Sequence, residues 1–281
     1  TGKEPAQLNA GFLTSATLAN FVAPISAGDL AAALERRDSI ATLLTGEQPL
    51  DLNNSARVVG WDKEGVPVIV METAMMRKSL GYVLPTLEYI CWSALDTCRP
   101  GVSGFGLVMD FGGGFNPMHF LNPKPVMDLA GMVECQWRGR LKVALLVEVP
   151  HSFQSILNLF LRFVKPSTRE KIKMVTQDEA LAELKRMGCD QETLQTAERS
   201  MRQQRASGKK EFHPLFDHPF FREKLAGLSL SEQVEFTTPA VHKRLRRAIQ
   251  EYRVRHYLPK PAAEEIRPAG MGRRALPEAQ P

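Results

Sequence analysis

At 281 residues, 43% hydrophobic and 24% charged, the chain has the composition of an ordinary globular protein and is long enough to bury a sizeable core, which excludes a disordered or fibrous polymer. No window holds the roughly 18 uninterrupted apolar residues of a membrane-spanning helix, since even the run from Leu141 meets Glu148 and Pro150, so any membrane contact is expected to be peripheral. The net charge of +5 is uneven: between Val241 and Tyr257, Lys243, Arg244, Arg246, Arg247, Arg253 and Arg255 face one acid, Glu251.

The chain opens on Thr1 rather than Met, so a processed or cut N-terminus is expected and the compartment stays open. Residues 1–54 read as a small helical lid, with helices at 11–22 and at 27–44, the second opened by Ser26 or Asp29 and closed near Gly46. The pattern then changes to alternation. Val58, Val59 and Trp61, a Lys63-Glu64-Gly65 turn, and Val66, Val68 and Val70 predict an antiparallel hairpin that opens the main domain.

Leu84, Leu87, Cys91, Leu95 and Cys98 recur at helical spacing, and 105–111 reads as a buried strand. Val126, Leu129, Ala130, Val133 and Trp137 mark a second helix, followed by a strand at 141–148. A third helix has Ser152 as its expected N-cap and Phe153, Ile156, Leu157, Phe160 and Val164 as its apolar stripe. Ser167 and Glu170 suggest a capping box for a short helix before a brief strand at 173–175. Strands alternating with helices at these lengths predict an α/β layer with a mainly parallel sheet.

The last third reads as helical and polar, with helices at 178–187 and 191–204, a Pro- and aromatic-rich loop at 212–221, and the basic segment. Such a positive segment seeks an anionic membrane surface or an acidic protein partner; without aromatic residues at base-stacking density, no nucleic acid partner is expected. The Pro-rich tail 259–281 has no apolar period and is expected to be ordered only against a partner. The resulting division is 1–54, 55–190, 191–258 and 259–281.

Several alternatives find too few residues. Gly112-Gly113-Gly114-Phe115 follows a strand but lacks the rest of any nucleotide fingerprint. His213 and His218 have no third and fourth ligand, so no metal is expected. Cys91, Cys98, Cys135 and Cys189 lack metal-ligand spacing and read as reduced thiols of a cytosolic or organellar matrix protein. Asp110 reads as a strand-end turn former, and no serine, cysteine or carboxylate has a recognisable catalytic partner, so no enzyme is expected.

The stretch LKVALLVEVPHSFQSILNLFLRFVKPSTREKIKMV, residues 141–175, resembles the most recognisable segment of the CRAL-TRIO lipid-binding family, which includes retinaldehyde, tocopherol and phosphatidylinositol carriers. ARVVGWDKEGVPVIV is similar to that family's opening hairpin and GLVMDFGGG to its central strand. The resemblance implies a mainly parallel five-stranded sheet flooring a hydrophobic pocket, with a mobile gate helix at 153–164 as its wall, an N-terminal helical lid and here a helical C-terminal extension. It implies a floor of Leu107, Met109, Phe111, Leu145 and Val147, a gate lined by Phe153, Ile156, Leu157 and Phe160, and no cofactor. Thr168 and Lys171 occupy the places where the phosphatidylinositol-transferring branch meets a headgroup phosphate, which favours a phospholipid. The chain departs from that branch at Gly139, where an acidic residue is usual, and near Ala16, where a basic one is.

Two functions follow as expectations. One is non-catalytic binding, with or without transfer, of a lipid in an internal pocket. The other is an accessory subunit of a larger membrane complex, peripheral to the membrane and in the mitochondrion, otherwise in the cytoplasm.

Overall fold

The computed structural model describes residues 55–257 apart from 77–79, 121, 136, 138, 163, 208–213 and 229–238. The lid expected at 1–54 and the tail at 259–281 lie outside the described residues.

Hydrophobic alternation builds a five-stranded sheet in the order β1 (Ala56–Trp61), β2 (Pro67–Glu72), β3 (Phe105–Asp110), β4 (Leu141–Val147), β5 (Ile172–Val175). β1 and β2 form the antiparallel hairpin, and the remaining neighbours pair in parallel. The hairpin turn is held by the Asp62 carboxylate, which accepts from the amides of Glu64 and Val66 at 2.8 Å each, and Gly65 supplies the positive φ of 84°. The sheet is therefore mixed, its one antiparallel strand lying at the edge.

Both faces of the sheet are covered, as parallel pairing requires. Helices α1 (Leu80–Leu95), α2 (Pro123–Cys135) and α3 (His151–Leu161) lie over one face, where Ile69, Met71, Leu107, Met109, Ala144 and Leu146 point. After the one-turn α4 (Pro166–Arg169) and β5, helices α5 (Gln177–Arg186) and α6 (Gln191–Ser207) cover the other face, where Val68, Val70, Val108, Leu145 and Val147 point. α6 approaches β1 so closely that a Cβ on Gly60 would lie 1.9 Å from Thr193 Oγ1.

Two expected helix starts are corrected. α3 begins after Pro150 with no side-chain cap, so Ser152 lies inside its first turn. α4 begins after Lys165 with Pro166 in its first turn and Glu170 as C-cap; the fixed φ of proline presets this start and leaves no Ser167–Glu170 capping box. A true capping box forms at α5, where Thr176 and Glu179 satisfy each other's backbone amides.

The C-terminal extension is built onto the sheet edge. Val58 N donates to Leu215 O at 2.8 Å and Asp217 N to Val58 O at 2.7 Å, so this segment forms one parallel bridge to β1 at Phe216. Helices α7 (Pro219–Leu225) and α8 (Pro239–Tyr257) follow, and Trp61 stacks on Tyr252 and Phe221 at 4.4 and 5.9 Å. Buried charge adds a second tie: Arg57 pairs with Glu72, donates to Ser200 Oγ at 2.5 Å and lies 3.5 Å from Asp217, which also accepts from Arg222 Nε at 2.7 Å. Burial pushes the Glu72 carboxyl up to about 7 against the opposing pull of Arg57, with Asp110 and Asp217 adding to the rise.

Candidate functional site, an apolar cavity between sheet and helices

A cavity of about 250 Å³ lies between the sheet and α1, α2 and α3. Leu107, Met109 and Phe111 come from β3 and its end, Ala144 and Leu146 from β4, and Ile172 from β5. The roof is Leu87 and Cys91 of α1, Val126, Leu129 and Val133 of α2, and Leu157, Phe160 and Leu161 of α3. Among the described residues no charged side chain contributes, and the polar side chains are those of Cys91, Trp137 and Thr168. Burial pushes the Cys91 thiol well up from its ordinary value, so it faces the cavity as a neutral, weakly polar group. Met127 both lines the cavity and is 53% exposed, so the cavity reaches the surface at α2.

Of the residues expected to line a pocket, Leu107, Met109, Phe111, Leu157, Phe160 and Thr168 meet in this cavity. Leu145 and Val147 do not. Between Phe105 and Gly106 the register with β4 shifts, Phe105 opposing Leu141 and Gly106 opposing Val143, so Lys142 is an extra residue in β4. Strict alternation counted from Leu141 puts 143, 145 and 147 on the cavity face; the bulge reverses the phase and brings in Ala144 and Leu146 instead.

Phe153 lies outside the lining, in a cluster with Phe111, Phe115 and Phe120 at centroid separations of 4.9–5.9 Å. Ile156 turns outward, 39% exposed. Thr168 and Lys171 part company: Thr168 borders the cavity, whereas Lys171 opens on a separate cleft with Lys63, Lys142, Glu170 and Glu183. The helix ends at Arg169, so Lys171 lies beyond it and loses the shared face that a three-residue spacing would give the pair inside a helix. The expected Thr–Lys phosphate pair is not assembled on the cavity.

The basic residues are distributed around α8 rather than forming one face. Leu245, Ala248, Ile249 and Tyr252 form its buried stripe. Arg244 is half-buried and its Nε donates to Lys224 O at 3.0 Å, Arg247 pairs with Glu251 at 3.1 Å, and the Arg255 guanidinium lies 5.9 Å from the Phe220 ring centre. Arg246 and Arg253 are half-buried, while Lys243, Arg247 and Arg255 are exposed.

Cys91, Cys98 and Cys189 are free and buried, and burial pushes the Cys98 and Cys189 thiols up to about 12. Asp110 performs the turn role expected of it, accepting from Gly112 N at 2.9 Å. His218 packs edge-on against Trp61 at 5.0 Å; His213 lies outside the described residues.

A family model for the CRAL/TRIO domain matches residues 54–195, just over half the chain. No curated protein matches the chain at a significant level. A solved structure described as the crystal structure of Sfh5 is similar at 16% identity with a TM-score of 0.43, over 54% of this chain and 60% of that one, less than two thirds of its length. The matched family region holds the whole five-stranded sheet and every residue of the cavity, and it ends before the extension that docks on β1. This chain belongs to the CRAL/TRIO domain family, whose domain binds small lipophilic molecules.

Proposed function

We propose that the chain holds one lipophilic molecule in the cavity between the sheet and α2 and α3, and that α3 is the movable wall through which it enters and leaves. The observation that carries this reading is a cavity whose lining, among the described residues, is almost wholly apolar and includes no charged side chain. Each Å² of apolar surface that a guest buries there is worth about 25 cal/mol, so a chain-like molecule gains several kcal/mol without any ionic contact. α3 suits a moving wall: among its residues only Phe153 is buried, and it turns Ile156 and Leu159 outward, 39% and 53% exposed. A helix with so few buried anchors opens at low cost compared with the sheet beneath it.

The test is uptake of Nile red, a neutral dye that fluoresces in apolar surroundings. The wild-type chain is expected to bind about one dye per molecule, and Leu157→Asp, which sets an uncompensated charge in the roof, to lose it while its circular dichroism is unchanged. Retained uptake in that folded variant would show that the dye lodges elsewhere.

A second reading, an accessory subunit of a membrane complex in which the cavity is only architectural, is favoured by one observation. Between α7 and α8 lies a groove of about 440 Å³ lined by Lys224, Lys243, Arg244, Arg247 and Ala248 with a single acid, Glu251. Such a surface suits an acidic partner or anionic lipid. Migration of the native protein only with a large assembly on size exclusion would favour this reading; migration as a free chain of about its own mass would favour a carrier.

A further inference from the structure

The extension beyond the family region carries a surface with its own chemistry. The groove of about 440 Å³ between α7 and α8 is lined by Lys224 from α7 and by Lys243, Arg244, Arg247, Ala248 and Glu251 from α8. Glu251 is already engaged: it pairs with Lys224 at 2.8 Å and with Arg247 at 3.1 Å, and the hydrogen bond from Lys224 above all holds its carboxyl below the usual carboxylate range. Four cations against this one acid leave the lining with a net charge of +3.

Arg244 is fixed in place within that lining. Its Nε donates to Lys224 O at 3.0 Å, and its terminal nitrogens lie against Gly227, where a Cβ would stand 3.1 Å from Nη2 and 3.3 Å from Nη1. Among the described residues no acceptor meets Nη1 or Nη2. A guanidinium held at Nε is oriented before any partner arrives, and its two remaining nitrogens match the two oxygens of a carboxylate. Binding there does not have to order the side chain first.

The shape of the surface separates two kinds of anionic partner. A helix that lies on a bilayer presents a broad apolar face to it. α8 buries its apolar stripe, Leu245, Ala248, Ile249 and Tyr252, and among its described residues exposes one large apolar side chain, Val254. A flat layer of headgroups would meet exposed Lys243 and Arg247 before half-buried Arg244. The side chains of a polypeptide enter a groove, and this one offers them the hydrocarbon stems of its lysines and arginines beside the charges.

We infer that the groove between α7 and α8 is a docking site for an acidic segment of another protein, with one carboxylate on Nη1 and Nη2 of Arg244 and others along Lys243 and Arg247. This rests on the basic groove that favours the subunit reading, and commits it to protein carboxylates rather than lipid phosphates.

The test is fluorescence anisotropy of the full chain with a fluorescein-labelled peptide of repeated Glu-Glu-Leu-Leu, beside a peptide in which Gln replaces every Glu. The Glu peptide is expected to bind at least about tenfold more tightly than the Gln peptide, and to weaken as salt rises from about 0.05 to about 0.5 M. Arg244→Lys keeps the charge and loses the fork, and is expected to weaken the Glu peptide roughly 3- to 10-fold. Lys243→Glu alters an exposed side chain that makes no ion pair among the described residues, so the fold is expected to stand while the Glu peptide weakens about tenfold. No binding of the Glu peptide, or equal binding by the wild type and folded Lys243→Glu, overturns the inference. Tighter binding to phosphatidylserine vesicles than to the peptide, lost in Lys243→Glu, overturns it in favour of a membrane surface. Migration of the native protein as a free chain removes the subunit reading and leaves a positive peptide result standing, so the two failures are told apart.

Discussion

The backbone carbonyl of Val58, on the outermost strand of the sheet, accepts a 2.7 Å hydrogen bond from the amide of Asp217, which lies beyond the region the family model matches. The Asp217 carboxylate then reaches back between Arg57 and Arg222. An edge strand left uncovered invites pairing with other chains. The extension therefore covers the edge at Val58, the middle of β1. Asp217→Ala leaves the Arg57 guanidinium, fully buried, with one carboxylate fewer and is expected to destabilise the protein by about 3–5 kcal/mol in urea denaturation.

Gly60 is fixed by proximity rather than by backbone conformation. A Cβ there would stand 1.9 Å from Thr193 Oγ1 and 2.7 Å from Thr193 Cβ, and Thr193 has no free space to retreat into, being fully buried. Gly60→Ala is expected to lower stability by about 1–3 kcal/mol or more, seen as a lower urea midpoint at unchanged slope.

Glu72 sets a pH dependence of defined sign. Its carboxyl is raised from 4.5 to about 7 in the folded chain, so the folded state holds its proton more tightly than the unfolded state. Its contribution is fully present below pH 4.5 and is lost as pH rises through about 7. Glu183 acts oppositely: hydrogen bonds from Arg186 and Lys173 hold its carboxyl down at about 2, so its contribution is lost as pH falls from 4.5 toward that value. Between pH 5 and 7.5 thermal unfolding should therefore shift down with rising pH in the wild type and lose much of that slope in Glu72→Gln.

The bulge at Lys142 separates ligand effects from stability effects at adjacent positions. Leu145, fully buried on the α5–α6 face, should cost about 2–5 kcal/mol when changed to Ala and leave Nile red affinity as it was. Leu146→Trp fills the cavity from the neighbouring position and should remove dye binding while the chain still folds.

These pairs also show what the amino-acid order reveals. Helix period and strand alternation locate all five strands and the helices of the family region to within a few residues, because each is a long apolar pattern repeated against one neighbour. Leu107, Met109 and Phe111, the floor that the resemblance implies, share one face because β3 contains no bulge of its own. Leu145 and Val147 do not, because a single extra residue in a partner's register has no signature in local hydrophobicity; Lys142, an exposed lysine amid apolar residues, is the one trace it leaves. The roof residues of α1 and α2 are legible as helical stripes, but which stripe faces a void and which faces packed atoms depends on the sheet beneath. The separation of Thr168 from Lys171 likewise depends on the turn geometry of α4, which Pro166 sets. The bridge at 215–217 is too short to carry any period.

The proposed function requires a guest in the space between β3, β4 and α3. Native mass spectrometry of the protein after incubation with 1-hexadecanol tests this directly. A single adduct of one hexadecanol per chain, absent from folded Leu146→Trp, is the expected spectrum; adducts of equal abundance on the wild type and on that folded variant would contradict the account.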